Sequence, residues 1–196
     1  MRFFDRYSRF YATTGTRRLP NRFHQRHKAI IAANHDLLGG ARVLDLASHD
    51  GRWAFAALKA GAAHVVGVEP REELVRRGRD TFAHYGVTPE EGYLIVGDAE
   101  RTLASADAGR FDVVLCLGYF YHTLHHMRLL ELMRATGARA FVLDTAVLST
   151  DQAVIGLYAE PVADLRSSVD YTGTGAAEVP VGVPSRAALR MMLAGS

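Results

Sequence analysis

The sequence predicts an α/β fold, in which a doubly wound parallel sheet carries helices on both faces and follows a helical arm. Three observations support this prediction. Short apolar runs rich in β-branched residues alternate five times with helical segments between Ala41 and about Thr145. The composition, 48% hydrophobic and 22% charged, is that of a globular protein and excludes collagen-like and disulfide-rich scaffolds. A length of 196 residues suits one domain with an arm.

The arm, residues 1–38, is predicted to be helical. An aromatic stripe at three- and four-residue spacing indicates a first helix: Phe3, Phe4, Tyr7, Phe10 and Tyr11. A break at 13–16 separates it from a second helix that begins near Asn21 and ends in a turn at Gly39-Gly40. The second helix contributes the predicted core positions Phe23, Ile30, Ile31, Leu37 and Leu38.

The charge is concentrated in this arm. Residues 1–28 hold eight Lys or Arg against the single acid Asp5, a net charge of +7, whereas the rest of the chain has a net charge of −5. Such an arm can be a solvated helix on its own acidic domain, or can bind nucleic acid or an anionic ligand. We expect it to act as a lid over the site described below.

The segment after the arm contains the five predicted strands. Each is short and apolar enough to be buried on both faces of a parallel sheet. The predicted strands are 41–47, 64–68, 93–96, 111–117 and 138–143, and the predicted helices between them include 52–59, 70–85 and 125–136.

The remaining chain is predicted to be mostly loop. Residues 149–184 are rich in Ser, Thr, Gly and Pro, which indicates a long mobile lid or a substrate-facing segment. A last helix over 184–193 has Ser185 as its candidate N-cap. The predicted organisation is therefore an arm (1–38), a ligand-binding core (39–148), and a substrate loop with a C-terminal helix (149–196).

Polar residues cluster where the predicted strands end. In open parallel sheets, ligands bind outside the carboxyl ends of the strands. The segment 45–51 follows the first strand, Glu69-Pro70 the second, and Asp98-Ala99 the third. Gly118, Tyr121 and His122 follow the fourth strand. These residues form the candidate site.

The run VLDLASHDGRWAFAALKAGAAHVVGVEP resembles the first two βα units of the Rossmann-fold (class I) S-adenosylmethionine-dependent methyltransferases. The resemblance covers roughly residues 41–148. In that family the first turn reads D-x-G-x-G-x-G, and here it reads Asp45, Ala47, His49, Gly51. Glu69, 24 positions after Asp45, stands where an acid accepts both ribose hydroxyls. Asp98 stands where the family places an acid near the adenine amino group.

The resemblance implies a Rossmann-like fold with S-adenosyl-L-methionine as cofactor and S-adenosyl-L-homocysteine as product. Ala47 and His49 count against a pyrophosphate ligand, because close approach of pyrophosphate needs glycines at these positions. Asp45 is expected to organise the turn and attract the ammonium of the cofactor. The implied cofactor-binding residues are Asp45, Ala47, Ser48, His49, Gly51, Trp53, Glu69, Pro70, Asp98, Ala99, Cys116, Gly118 and Tyr121.

The resemblance also implies that two strands are missing. The family's sheet has seven strands, the last two being an antiparallel pair after the fifth helix, and the sequence supplies only five before it ends. Either the chain is truncated, or the 149–184 segment or a second copy of the chain completes the sheet. A homo-oligomer is therefore one of the expected partners.

A narrower resemblance concerns CLGYFYHTLHHMRLLELMRATGARAFVLDT. It is similar to the tRNA wobble-uridine carboxymethyltransferase group and its small-molecule relatives, with the G-x-x-Y-H motif at Gly118, Tyr121 and His122. His122 is the candidate general base, because histidine titrates near neutrality. Asp144 is a second base or an orienting group. His125 and His126 are expected to be partly exposed. No ligand spacing supports a metal site.

The leading hypothesis is O-methylation of a small-molecule hydroxyl, on a sugar or secondary metabolite, by in-line transfer with a histidine base. One alternative is a tRNA- or RNA-modifying transferase, which the basic arm favours. Another is a non-catalytic cofactor-binding protein, which the loss of two glycines favours.

We expect a small-molecule acceptor more than nucleic acid. No membrane partner is expected, since no run of about 18 apolar residues occurs. The single cysteine, Cys116, favours a cytoplasmic location.

Overall fold

A five-stranded parallel sheet forms the centre of the computed structural model, which describes residues 1–13, 20–105, 111–163, 168–170 and 174–195. The strands are β1 (Arg42–Leu46), β2 (His64–Glu69), β3 (Gly92–Val96), β4 (Val113–Leu117) and β5 (Ala140–Asp144). Their spatial order is β3-β2-β1-β4-β5, with every neighbouring pair parallel. The predicted doubly wound α/β fold is confirmed, and the reversal of strand order between β1 and β4 places a crevice beside the carboxyl end of β1.

Helices cover both faces of this sheet. They are α1 (Phe3–Arg6), α2 (Pro20–Ile30), α3 (His35–Leu38), α4 (Arg52–Lys59), α5 (Glu72–His84), α6 (Ala99–Ala104), α7 (His126–Ala135) and α8 (Arg186–Gly195). The sequence did not predict α6, a six-residue helix that the side chain of Asp98 caps by accepting from the backbone N–H of Arg101 at 2.7 Å. The predicted cap of α8 is confirmed, because Ser185 Oγ accepts from the N–H of Ala188 at 3.0 Å.

The arm packs its aromatic stripe into the core instead of presenting it to solvent. Phe4 stacks on Phe23 with ring centroids 3.8 Å apart, and both rings meet Trp53 of α4 edge-on. Phe4, Phe10 and Phe23 are each at most 1% exposed. Buried aromatic pairs in these geometries stabilise beyond their area alone. The predicted break at 13–16 lies outside the described residues, apart from Thr13.

The prediction of a long loop over 149–184 is wrong for two stretches. Ile155–Pro161 (β6) and Glu178–Pro184 (β7) form an antiparallel pair in a sheet of their own. Glycine and proline in β6 and β7 weaken the strand pattern in the sequence. Edge strands tolerate both residue types, and each strand of a two-stranded sheet is an edge strand. Both strands precede the last helix, α8, so the 149–184 segment does not complete the main sheet as one of the expected alternatives required. In the described structure they pair with each other and leave the main sheet with five strands.

A histidine anchors this hairpin to the main domain. His126, at the start of α7, donates from Nε2 to the carbonyl of Gly182 at 2.9 Å and is only 3% exposed. The expectation that His126 is partly exposed is therefore wrong. A side chain at position 182 would place its Cβ 2.8 Å from Cε1 of His126, so glycine permits this close approach.

No helix among the described residues has the length and apolarity that crossing a bilayer requires.

Gly78 of α5 packs closely beneath the turn after β1, and this contact can be tested by substitution. A Cβ at this position would lie 2.6 Å from the carbonyl oxygen of Asp50 and would clash with Leu94. Helix propensity alone would make Gly78→Ala stabilising by about 1 kcal/mol. We expect instead a loss of about 1–3 kcal/mol in the free energy of unfolding, because the backbone has to move. Chemical denaturation measures the difference.

The matched control is Ala83→Gly at an exposed position of the same helix. It should cost about 1 kcal/mol through helix propensity alone. A Gly78→Ala variant as stable as the parent protein would show that the turn does not depend on this contact.

Candidate functional site

The turn between β1 and α4 has a left-handed backbone at alternate residues. Ala47, His49 and Gly51 have φ angles of 49°, 58° and 74°. These are three of the positions at which the motif has glycine, and the conformation costs a non-glycine residue about 1–2 kcal/mol. The chain thus keeps the glycine conformation of the turn without two of its glycines. Ser48 holds the turn against β2 by donating its N–H to Val68 O at 2.8 Å.

Asp45 ends β1 beneath this turn. Its Oδ2 accepts from the N–H of Ala54 at 3.0 Å, while Oδ1 is buried without a hydrogen-bond partner in the described structure. Ser48 Oγ is likewise buried and unpaired among the described residues. Burial raises the pKa of Asp45 to about 8, and the nearby carboxylates add to this shift. Two orphaned polar atoms at a strand end are an arrangement that a polar ligand can complete.

Glu69, at the end of β2, is hydrogen-bonded to the turn that follows β1. Its carboxylate is buried and accepts from the N–H of His49 at 3.0 Å through Oε2. Oε1 accepts from the backbone and the guanidinium of Arg71 at 3.2 and 3.0 Å. A carboxylate offers about four acceptor positions and three are used, so Oε2 of Glu69 keeps capacity for about one hydroxyl donor. Pro70, which follows it, is half-buried.

The arm fastens the turn through an ion pair that the sequence did not reveal. Arg52 donates from Nε to Oδ1 of buried Asp50 at 2.6 Å, and Thr13 of the arm donates its hydroxyl to Oδ2. Burial opposes ionisation of Asp50, but Arg52 and His49 outweigh it and hold the pKa of that carboxyl well below its usual range. Arg52 also reaches Nδ1 of His49 at 2.8 Å.

A second contact of the arm lies over β4 and β5. Arg26 donates from Nε and Nη2 to Oδ2 of Asp144 at 2.9 and 2.5 Å, and its guanidinium carbon lies 5.0 Å from the ring centre of Trp53. Gly118 donates its N–H to Asp144 O at 2.7 Å with a φ of 82°. Asp144 therefore pairs with the arm, and its predicted role as a second base or an orienting group stays a prediction.

His122 has a different partner, Glu160 of β6. The His122 Nδ1 atom lies 2.6 Å from Glu160 Oε2 and 3.2 Å from the hydroxyl of Ser168. Ser168 also donates its N–H to the same Glu160 oxygen at 2.9 Å. Burial lowers the pKa of His122; Glu160 opposes this shift, and the charge of Arg71 adds to it. The sequence missed Glu160 because it lies on a strand that was predicted to be loop.

The other predicted residues lie near the ends of β3 and β4. The ring of Tyr121 lies against His122 at 3.9 Å between centroids, and burial, followed by Glu160, raises its pKa. Ala99 is buried behind Asp98, whose side chain caps α6. Cys116 is fully buried in β4, and burial raises the pKa of its thiol to about 12, so it packs and does not react.

A cavity of about 380 Å³ opens beside His122. It lies between α6, the start of α7 and β7. On its wall, Glu100 pairs with His125, whose side chain is 67% exposed as expected, and with Arg128. The wall mixes charged, hydroxyl and apolar side chains: Asp98, Glu100, Arg101, Ala104, Tyr119, His122, Thr123, Leu124, His125, Arg128, Ser168, Val169, Val179 and Pro180.

Residues 43–138 match a family model described as a methyltransferase domain. This match spans β1 to the end of α7, the part of the chain that holds the left-handed turn, Glu69 and His122. Just under half of the chain is therefore similar to a methyltransferase domain, and it carries the Rossmann-like fold. No curated protein sequence matches it. The narrower resemblance to the tRNA wobble-uridine group stays a prediction.

Solved structures agree with this fold. The N-terminal domain of EvdMO1 with SAH bound has a TM-score of 0.62 at 24% identity, covering 84% of this chain and 68% of that one. The same domain in the presence of SAH and D-fucose has a TM-score of 0.65 at 24% identity, covering 88% and 72%. The putative methyltransferase yhhF from Escherichia coli has a TM-score of 0.51 at 12% identity, covering 82% and 86%.

The raised pKa of Asp45 predicts how stability depends on pH in the absence of ligand. The unfolded chain releases this proton near the ordinary value of 3.8, whereas the folded chain keeps it up to about pH 8. Between these values the folded state binds more protons, so raising the pH destabilises it by up to about 1.4 kcal/mol per pH unit. Asp45→Asn should remove this contribution, and its stability relative to the parent protein should increase from pH 4 to pH 8.

Denaturation curves at several pH values measure this difference. Asp80→Asn, at an exposed carboxylate of α5, serves as the control and should leave the pH dependence unchanged. Parallel curves for the Asp45→Asn variant and the parent protein would contradict the prediction.

Proposed function

We propose that this chain is an S-adenosylmethionine-dependent methyltransferase that transfers a methyl group to a hydroxyl of a small molecule, with His122 as the general base. The observation that supports this proposal is the His122–Glu160 pair in the wall of the 380 Å³ cavity. A hydroxyl nucleophile has to lose its proton as it attacks, and a histidine in hydrogen-bond reach of that hydroxyl is the usual acceptor.

The contacts of His122 define its proposed role. The carboxylate of Glu160 accepts hydrogen bonds, so the Nδ1 proton of His122 is donated to it. This tautomer leaves Nε2 as the basic atom, which has no hydrogen-bond partner in the described part of the chain. The lowered pKa keeps His122 neutral near pH 7 and able to accept the proton of the acceptor hydroxyl.

The residues at the other strand ends fit the cofactor. The buried Oδ1 of Asp45, which has no partner among the described residues, can accept from its ammonium, and the carboxylate of Glu69 can accept from its ribose. The left-handed turn places Ala47, Ser48 and His49 beside it. Gly51, Trp53, Pro70, Asp98, Ala99, Cys116, Gly118 and Tyr121 complete the proposed binding set, Cys116 by packing beneath it. When bound, S-adenosylmethionine supplies an electrophilic methyl group. The chain itself holds the acceptor in line with that group, excludes water and removes a proton at Nε2 of His122.

The division into units is part of the proposal. The arm (1–38) closes over the strand ends through Thr13 and Arg26, the core (39–148) binds the cofactor, and the C-terminal region (149–196) contributes Glu160 and the cavity wall. Asp144 is kept as a second candidate base, although its carboxylate already pairs with Arg26. A cytoplasmic location is proposed because the single cysteine is a buried free thiol.

The size and chemistry of the cavity favour a small acceptor such as a sugar or a secondary metabolite. Small-molecule sites combine apolar walls with a few placed polar groups, as this cavity does. The EvdMO1 domain, crystallised in the presence of D-fucose, supports a sugar-like acceptor by analogy alone.

The structure of the arm weakens the RNA alternative that its basic, aromatic sequence favours. Binding of single-stranded nucleic acid uses exposed aromatic platforms, whereas Phe4, Phe10 and Phe23 are buried in the core. The alternative of a non-catalytic protein also has less support. Binding the cofactor alone does not require His122 to be held by Glu160 in the wall of the cavity.

Glu69 provides the test of cofactor binding. We expect Glu69→Gln to weaken binding of S-adenosylhomocysteine about 10-fold or more, because the variant loses charged acceptors for ribose hydroxyls. Isothermal titration measures both affinities, and thermal unfolding confirms that the variant is folded. Glu72→Gln, an exposed carboxylate three residues later, is the matched control and should bind like the parent protein. Absence of binding to the parent protein, or full binding to Glu69→Gln, would refute the proposed cofactor site.

The His122–Glu160 pair provides the test of the base. With an accepted hydroxyl substrate, kcat/KM should rise with pH through the pKa of His122, which is below 6.5. His122→Gln should lower the rate about 100-fold or more. Glu160→Gln removes a charge that raises the pKa of His122, so its acid limb should move to lower pH as the rate falls.

Glu178→Gln, an exposed carboxylate of β7, is the control for Glu160→Gln. It should leave both the rate and the pH profile unchanged. A Glu160→Gln variant that loses activity without any shift of the acid limb would show that Glu160 only supports the hairpin.

A further inference from the structure

Glu100 is a carboxylate in the wall of the cavity beside His122, and the proposed function gives it no role. Its side chain is only 17% exposed. Oε1 lies 3.3 Å from the hydroxyl of Thr123 and 3.3 Å from Nδ1 of His125, and Oε2 lies 3.5 Å from Nε of Arg128. Hydrogen bonds to an ionised carboxylate are usually about 2.5–2.9 Å long, so Glu100 keeps acceptor capacity that the described chain uses only weakly.

The place of Glu100 in the fold relates it to the proposed base. Thr123, which donates to Glu100, directly follows His122 in the chain, and all three residues line the same cavity. In the proposed function, on which this inference rests, the reacting hydroxyl of the acceptor lies at Nε2 of His122. A second group of the same small molecule therefore lies within reach of the Glu100 carboxylate.

The charges around Glu100 determine which hydrogen-bond donor fits it. An ammonium group in the cavity would also face the guanidinium groups of Arg101 and Arg128, and like charges placed together at a binding site are costly. A carboxylate or a phosphate would face Glu100 and Asp98 in the same wall. Hydroxyl groups avoid both conflicts, because they donate to a carboxylate and accept from a guanidinium.

The rest of the wall suits the carbon skeleton of a polyhydroxylated ring. Four of its apolar residues are Leu124, Val169, Val179 and Pro180. The C–H groups of a sugar ring form apolar patches, while its hydroxyls project outward as donors and acceptors. A saccharide therefore presents both the apolar surface and the few directed polar groups that such a wall can bind.

We infer that the acceptor is an uncharged saccharide and that Glu100 is a specificity-determining residue, which accepts hydrogen bonds from hydroxyls near the one that is methylated. Arg101 and Arg128 disfavour acceptors that carry an ammonium group. Glu100 and Asp98 disfavour acceptors that carry an acid. The balance of charges in the wall thus selects a neutral polyol.

The test compares monosaccharides that share a ring and differ in charge. The probes are D-glucose, D-glucosamine and D-glucuronate, with D-galactose, D-galactosamine and D-galacturonate as a second configuration. Ligand-observed NMR titrations in the presence of saturating S-adenosylhomocysteine measure each dissociation constant. At least one neutral sugar should bind about 5-fold or more tightly than its amino sugar and its uronate, because only the charged sugars meet like charges in the wall.

Glu100→Gln removes the charge of the side chain and keeps its size. It should weaken binding of the neutral sugar about 10-fold, because hydrogen bonds to a charged acceptor contribute more than those to a neutral one. It should also strengthen binding of the uronate about 3-fold or more, since less negative charge then opposes Arg101 and Arg128. Glu131→Gln, at an exposed carboxylate of α7, is the matched control and should bind every sugar like the parent protein. Thermal unfolding and the affinity for S-adenosylhomocysteine should be unchanged in both variants.

Tightest binding of a uronate by the parent protein would overturn the inference and assign an anionic acceptor to the two arginines. Tightest binding of an amino sugar would overturn it in favour of a cationic acceptor. Equal binding of the neutral sugar by the parent protein and Glu100→Gln would remove Glu100 from the site, and absence of binding by all six sugars would exclude the saccharide. Failure of the proposed function is distinguishable, because the parent protein would then not bind S-adenosylhomocysteine.

Discussion

The left-handed turn between β1 and α4 is the constraint on which the rest of the site depends. Ala47 and His49 adopt backbone conformations that favour glycine, at a cost of about 1–2 kcal/mol each. The buried Asp50–Arg52 pair, the Ser48–Val68 hydrogen bond and the Glu69–His49 hydrogen bond together hold the turn in this shape. Any ligand at the carboxyl end of β1 meets a surface that these contacts have fixed in advance.

The same turn explains how the arm relates to the domain. The arm and the rest of the chain have opposite net charges, but they do not meet through two broad charged surfaces. They meet at specific contacts, of which Arg26 with Asp144 is an ion pair and Thr13 with Asp50 a hydrogen bond to a buried carboxylate. Aromatic packing of Phe4 and Phe23 against Trp53 supplies the apolar part of the interface. The arm is therefore a structural part of the domain, fixed by a core contact and two polar contacts over the strand ends.

The chemistry proposed for His122 depends on the C-terminal hairpin in a similar way. His126 binds Gly182 of β7, and this contact brings β6 close enough for Glu160 to reach His122. Two adjacent segments of sequence, at 122 and 126, thus receive partners from a hairpin some 40–60 residues later. The tautomer and the basicity of His122 follow from that long-range pairing and not from its own segment.

The sequence alone determined the alternating strand and helix order, the strand ends that carry Asp45, Glu69 and Asp98, and the resemblance to methyltransferases. These features depend on local periodicity and on motif residues in chain order. It could not reveal α6, whose six residues have little periodicity, or β6 and β7, whose glycines and prolines resemble a loop. It also could not pair Arg26 with Asp144 or Glu160 with His122. Ion pairs form between side chains that folding brings within 4 Å, whatever their separation in the chain, so only the tertiary structure decided which charge meets which.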